Sequence, residues 1–332
     1  MQKVACRYPN IYIRSKNDLA KRLSGENISF KATLRLINDV IDNFDYYWYD
    51  NIKVSKPKEE KFFRSSYGTP LGRLLKLIDK KILAPYDHML PDFIFGGVSG
   101  KDHVGAAYSL LGKRRRRSKL GLDIKRFFEQ NKLERVECFF QSKCNCSKKV
   151  AKLLAKICCV PVGPKGSNSS IKALARGFST STRLATWTNL DLFLRVSWLV
   201  KKRLKLHDAK LAIFIDDIGI TASKVDRKDL ENLKKEIESL LNNHDQNQQL
   251  SLNNKTSIQI YSETNCSNLN HLGLDMGRNK IGIGAKTKSR QALIQKRLKE
   301  EDDLVEKARL IRIKKSYNNY QKYIKSKKLS TK

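Results

Sequence analysis

The chain has 332 residues, enough for two or three units that each bury a core, and its 67 lysines and arginines against 33 acidic residues give a net charge of +34. With 40% hydrophobic residues it is not a disordered polyelectrolyte, and a charge spread along its whole length points to a long polyanionic partner, nucleic acid before any other. No apolar run of 18 residues occurs, and Met1 to Pro9 lacks the apolar stretch of a signal peptide, so a soluble, cytoplasmic protein without a membrane partner is expected.

In chain order, Ser29 followed by Leu34, Ile37, Ile41 and Phe44 at helical spacing predicts an amphipathic helix over 29–47. Residues 53–64 alternate basic and apolar and read as a short hairpin or extended arm. Leu74, Leu75, Ile78 and Ile82 predict a second helix over 71–83 that stops before Pro85. Gly96, Gly97 and Gly100 mark a loop, and the basic cluster 113–117 leads into a short strand over 119–124, interrupted by the single carboxylate of Asp123. A helix is expected over 147–157, a loop over the Gly-, Pro- and Ser-rich 160–173, and one long helix over 180–206. The strand 211–215 is apolar on both faces, as buried central strands are; it ends in Asp216-Asp217, and β character resumes at 218–221. A charged helix over 228–243, strands over 257–261 and 272–274 and a glycine-bearing ribbon over 281–284 follow. Residues 286–332 hold 16 lysines and arginines against 5 acids and read as a small basic helical unit. The seven cysteines include Cys144, Cys146, Cys158 and Cys159, whose spacing is wrong for paired zinc ligands and fits buried reduced thiols.

Asp123, Asp216 and Asp217 stand at strand ends in apolar surroundings, where a carboxylate is costly unless a cation compensates. A pair of Mg²⁺ ions is the compensation that a phosphate-binding protein would use, and two-metal phosphoryl transfer takes carboxylates from adjacent strands. An Asp-Asp pair alone is ordinary turn chemistry. The apolar strand feeding it, together with a second strand carrying Asp123, makes it a candidate metal site.

The segment Leu122-Asp123-Ile124-Lys125-Arg126-Phe127-Phe128 resembles motif A of bacterial reverse transcriptases, and Phe214-Ile215-Asp216-Asp217 resembles their motif C. Residues 174–182 are similar to motif B, 252–256 to motif D and 271–274 to the start of motif E, in the family's order and over roughly residues 30–300. This resemblance, to the retron and other defence-associated enzymes of the group II intron-like superfamily, implies an α+β right-hand polymerase. N-terminal helices and fingers would occupy 1–115, a palm with an antiparallel sheet 116–285 (with a fingers segment inserted at about 138–175), and a basic helical thumb 286–332. The implied activity is RNA-directed DNA polymerisation from dNTPs with two Mg²⁺, or Mn²⁺ in their place. It would copy a dedicated non-coding RNA into DNA in prokaryotic anti-phage defence, with an effector protein or a second copy of the chain as further partners.

By position, the resemblance gives metal binding to Asp123, Asp216 and Asp217 and proton donation to pyrophosphate to Lys255. It makes Phe128 an aromatic gate against the ribose 2′-hydroxyl and Gly177 a point of close approach to the nucleotide. Arg64, with Lys58 or Lys61, would grip the triphosphate, while Arg114, Arg115, Arg116, Arg117 and Arg176 would line the nucleic-acid path. The chain departs from the family at Ala175, Arg176 and Thr182, where motif B has Pro, Gln and Pro, and at Arg126, where many relatives carry an acid. Residues 105–109 and 270–273 also differ from two retron hallmarks, so retron and other defence-associated groups both stay open. A template-independent or protein-primed DNA synthase and a catalytically silent RNA-binding scaffold are the alternatives.

Overall fold

Hydroxyl and carboxylate caps set the start of most N-terminal helices. The computed structural model describes residues 7–112, 116–245, 249–254, 256–261, 269–277 and 280–327. In it, α1 (Lys16–Leu23) and α2 (Phe30–Asp42) begin after Ser15 and Ser29, whose hydroxyls accept the N–H groups of Asp18 and Ala32. Thr69 caps α3 (Pro70–Ile78) in the same way, with Pro70 in the first turn, where its missing N–H is harmless. Between α2 and α3 the expected arm closes as an antiparallel pair, β1 (Tyr49–Asp50) with β2 (Arg64–Ser65). Asp102 caps α4 (His103–Ser109).

The central sheet is built from β3 (Arg117–Asp123), β6 (Lys210–Phe214), β7 (Asp217–Ser223) and β8 (Ser257–Gln259), all antiparallel, in the spatial order β6-β7-β3-β8. A separate small hairpin pairs β4 (Cys159–Pro161) with β5 (Lys172–Leu174), so the ends of the expected 160–173 loop are strand. Strand alternation divides the central sheet into two faces. Leu120, Leu122, Ile213, Ile218 and Ile220 bury one of them in the main core. That core also takes in α5 (Phe127–Gln130), α6 (Leu133–Cys138), α7 (Lys148–Cys158), α8 (Ser181–Thr188), α9 (Leu190–Arg203) and α10 (Arg227–Asn243). On the other face Gly121, Gly219 and Ala212 form a row of small residues across three strands. A Cβ on Gly219 would lie 2.7 Å from the His271 ring and 2.8 Å from Leu110, so the row admits a second layer. That layer is α4 and a three-stranded antiparallel sheet of β9 (Leu269–His271), β10 (Leu274–Met276) and β11 (Ile281–Ile283), sharing a smaller core with Ala212.

Two expected elements change. The long helix over 180–206 is two helices, because Asn189 is buried between α8 and α9 and its amide donates to the carbonyl of Ala185 and to Asn131 Oδ1, both at 2.7 Å. Such side-chain bonds to nearby backbone compete with helix continuation. The strand expected over 272–274 is instead the turn Leu272-Gly273, with φ of +51° and +76°, a two-residue hairpin connection joining β9 to β10. The basic C-terminal unit is helical as expected: α11 (Ala285–Glu300) and α12 (Leu304–Lys327). The end of α12 returns to α4, where Tyr320 stacks on His103 with Oη 2.6 Å from Nε2, and Lys327 pairs with Asp102 at 3.0 Å. Cys144, Cys146, Cys158 and Cys159 are buried free thiols, burial pushing Cys158 up to about 12, whereas Cys138 is exposed. The chain is thus mixed α+β with antiparallel sheets, and no helix among the described residues is long and apolar enough to cross a membrane.

Candidate functional site

The hairpin that joins β6 to β7 turns through Ile215 and Asp216, with Phe214 paired to Asp217. Ile215 has φ +61°, a left-handed conformation that a β-branched residue adopts only when its surroundings enforce it. The two-residue turn between the paired Phe214 and Asp217 imposes it, and Gly96 makes room for it: a Cβ there would stand 2.3 Å from the Ile215 nitrogen, so only glycine lets this loop lie against the turn. The Asp216 carbonyl accepts the N–H of Ile124 at 2.9 Å, tying the turn to the end of β3.

The β3–β7 register sets Asp123 directly opposite Asp217, on one face of the sheet, where like charges repel. Burial first, and then Asp216 and Asp123, push the Asp217 carboxyl up to about 7. Burial likewise raises Asp216, with Asp123 adding to the rise and the charges of Arg176 and Lys61 opposing it. Lys119 lies on the same face of β3 and is buried; its ammonium donates to the Asn270 carbonyl. Burial lowers Lys119 to about 8, while Asp217 pulls the other way. Burial and the Lys119 charge lower His271 to about 3. The site is therefore three crowded carboxylates with one internal cation beneath them and two cations facing them. As the side chains stand, no group of three or more His, Cys, Asp and Glu among the described residues is gathered as metal ligands. The fit to divalent ions lies in the chemistry: hard carboxylate oxygens, two of them with proton affinity raised first by burial and then by the neighbouring carboxylates.

Asn253 is a site residue that the motifs do not single out. Its amide donates to Asp123 Oδ2 at 2.9 Å and its N–H to the Asp123 carbonyl at 2.7 Å. Lys125 donates to the Ser251 carbonyl at 2.8 Å, and Leu252 bridges to Ile124, so the whole 251–253 segment clamps the end of β3. The only signal in the sequence is the Asn253-Asn254 pair inside the motif D likeness, and nothing local ties it to a residue 130 positions earlier.

The remaining candidates separate into those near the acids and those turned away. Arg176 makes two bonds of 3.1 Å to Glu129, and its guanidinium covers the Phe128 ring at 4.9 Å. Phe128 itself is 6% exposed, packed beneath Arg176. Lys61 pairs with Glu59 at 3.0 Å. Gly177 has φ +107°, and a Cβ on it would lie 2.4 Å from the Arg64 carbonyl. The close approach that requires glycine here is to the backbone of β2.

Two further corrections concern arginines. Arg64 is buried, its guanidinium bound to Asp50, to the Gly163 carbonyl and, at 3.3 Å, to that of Pro161, so it braces the arm against β4 rather than facing a triphosphate. Burial lowers it to about 10. Arg117 is buried as well, bonded to Asp208 at 2.7 Å and to the hydroxyl and carbonyl of Thr221, and does not line a nucleic-acid path. The reason is what covers it: Arg117 lies on the same face of β3 as Lys119, where Asp208, Thr221 and the backbone at Gly112 close around the guanidinium. Arg116 points outward over Tyr261 at 5.5 Å. Arg114, Arg115 and Lys255 lie outside the described residues. No model of a known protein family matches this chain, and no curated protein matches it.

Proposed function

We propose that the protein is an RNA-directed DNA polymerase of the reverse-transcriptase type, a right hand whose palm is the central sheet, whose fingers are the N-terminal helices and whose thumb is α11 and α12. The observation that carries the reading is the crowding of Asp123, Asp216 and Asp217 at the joined ends of β3 and the β6–β7 hairpin, with carboxyls raised by burial and mutual repulsion. Two divalent ions held by these carboxylates would activate the attacking hydroxyl and stabilise the leaving pyrophosphate. Asn253 orients Asp123 through its carboxylate and its backbone. Arg176 and Lys61, whose charges reach Asp216, stand ready for a triphosphate. Phe128, beneath Arg176, is the gate residue by motif position, and its ring would bear on the sugar as the nucleotide draws Arg176 aside. A dedicated non-coding RNA as template, and a role in prokaryotic anti-phage defence, rest on the motif resemblance.

The test is primer extension on a primed RNA template with dNTPs and Mg²⁺. Templated product from the parent, with none from Asp123→Asn or Asp216→Asn at a melting temperature no lower than the parent's and with RNA affinity unchanged, supports the reading. Wild-type-like extension by either variant overturns the metal assignment. Product whose sequence ignores the template selects the template-independent synthase instead.

A further inference from the structure

Lys119 is 3% exposed and stands on the same face of β3 as Asp123, with only Gly121 between them on that face. Its side chain folds along the strand toward the carboxylates: a Cβ on Gly121 would lie 3.1 Å from Nζ and 3.5 Å from Cε. The same point is 2.7 Å from Ser257 Oγ, so the absence of a side chain at Gly121 is what leaves a berth for the ammonium. Two residues of strand carry that berth to within about 7 Å of Asp123, and the β3–β7 register sets Asp217 beside Asp123.

An ammonium has three N–H donors, and this one makes a single bond, to the Asn270 carbonyl of β9. No carboxylate pairs with it among the described residues. His271, the next residue of β9, lies over Gly219 with its Nε2 unpartnered; burial and the Lys119 charge keep its ring neutral, so it offers no opposite charge. A buried lysine without an ion pair costs more than an apolar side chain of the same length, and one bond to a carbonyl does not account for it. What the position does supply is a fixed positive charge near three crowded carboxylates. Asp217 pulls Lys119 upward against the effect of burial, and Lys119 in turn draws Asp217 down.

We propose that Lys119 is a positioning residue for the metal site, an internal counter-charge that keeps Asp123, Asp216 and Asp217 gathered before metal arrives and that, by the same charge, holds down the pocket's affinity for divalent ions. This rests on the two-metal reading of the acids and adds to it a residue four positions ahead of Asp123, outside the motif likeness.

The full chain, without nucleotide or nucleic acid, is titrated with Mn²⁺ while the free ion is read by electron paramagnetic resonance. Binding that disappears when Asp123→Asn and Asp216→Asn are combined belongs to the acids. Lys119→Gln keeps a donor for the Asn270 carbonyl and Lys119→Met does not, but both remove the charge and relieve the cost of burying it, so both should fold by circular dichroism. Each should tighten the acid-dependent binding at least ten-fold, with no change in whatever binding the aspartate variant retains. Acid-dependent binding at the parent's dissociation constant, or weaker, in both variants overturns the proposal and leaves the metal reading standing. Tightening by Lys119→Met but not by Lys119→Gln assigns the effect to the lost hydrogen bond and overturns it as well. No acid-dependent binding in the parent or in either variant refutes the metal reading itself, and the proposal with it.

Discussion

Asp217→Asn should make the metal-free protein more stable, and by an amount that depends on pH. Burial and the two neighbouring carboxylates lift Asp217 from 3.8 to about 7. At about 1.4 kcal/mol per pH unit, about three units set a ceiling on the order of 4 kcal/mol for the penalty carried by the ionised group. Because Asp216 and Asp123 share the repulsion, and an amide only approximates a protonated acid, the expected gain at pH 8 is about 1–3 kcal/mol. The sign follows from proton uptake. Between pH 3.8 and about 7 the folded state binds a proton that the unfolded chain has released, so the parent loses stability as pH rises through that window. The variant has no such group, so the two should converge near pH 4 and be furthest apart above pH 7. Denaturant unfolding followed by tryptophan fluorescence, in chelator at several pH values from 4 to 8, reads this directly. Mg²⁺ added at pH 8 should stabilise the parent more than the variant, since only the parent keeps all three carboxylates. A parent as stable as the variant at pH 8, or a gap that does not change with pH, would refute the account of crowded charge.

Gly177→Ala meets both a φ of +107° and a carbonyl 2.4 Å from the new methyl group, and should cost about 2–3 kcal/mol in denaturant unfolding, even though the residue touches no carboxylate. Arg117→Met removes the buried guanidinium from Asp208, which keeps Lys210 at 3.9 Å, and from Thr221, and should cost about 2–3 kcal/mol, while a salt titration of RNA binding keeps its slope, because the guanidinium is buried. Asn253→Ala should lower kcat for dNTP incorporation about 10-fold at an unchanged nucleotide KM and raise the half-saturating Mg²⁺ concentration, with the fold intact by circular dichroism. An unaltered Mg²⁺ requirement would reduce Asn253 to a loop residue.

Periodicity made the long helices readable, because their buried faces recur at helical spacing and their caps are Ser, Thr or Asp at the right offset. The aspartates were legible for a different reason: a carboxylate closing an apolar strand has few explanations. What the one-dimensional pattern hid was partnership. In the run of arginines before Asp123 nothing local sets Arg117 apart from Arg116; only the fold shows Asp208 waiting for it 91 residues away. Arg64 looked like a free basic group in a basic arm, but β4 and its following loop supply the carbonyls that bind it. Asn189 reads as a tolerable helix residue until Asn131 is seen beside it. Each error came from a long-range hydrogen bond overriding a local preference.

The row of Gly121, Gly219 and Ala212 has a mechanical consequence. Across it the sheet is only a backbone thick, with His271 of β9 seated on one side and the main core on the other. At Gly219 no side chain of the sheet cushions the two layers, so a displacement of the β9–β10 hairpin bears on the strands next to Asp123 and Asp217. The hairpin belongs to the layer that α12 completes through Ile324, and α12 is clasped to α4 through Tyr320 and Lys327. The C-terminal helices and the carboxylates are therefore stiffly linked, like the handle and jaw of a lever. Substitutions at the clasp and at the acid pair should fail to add, even though no side chain of one touches the other.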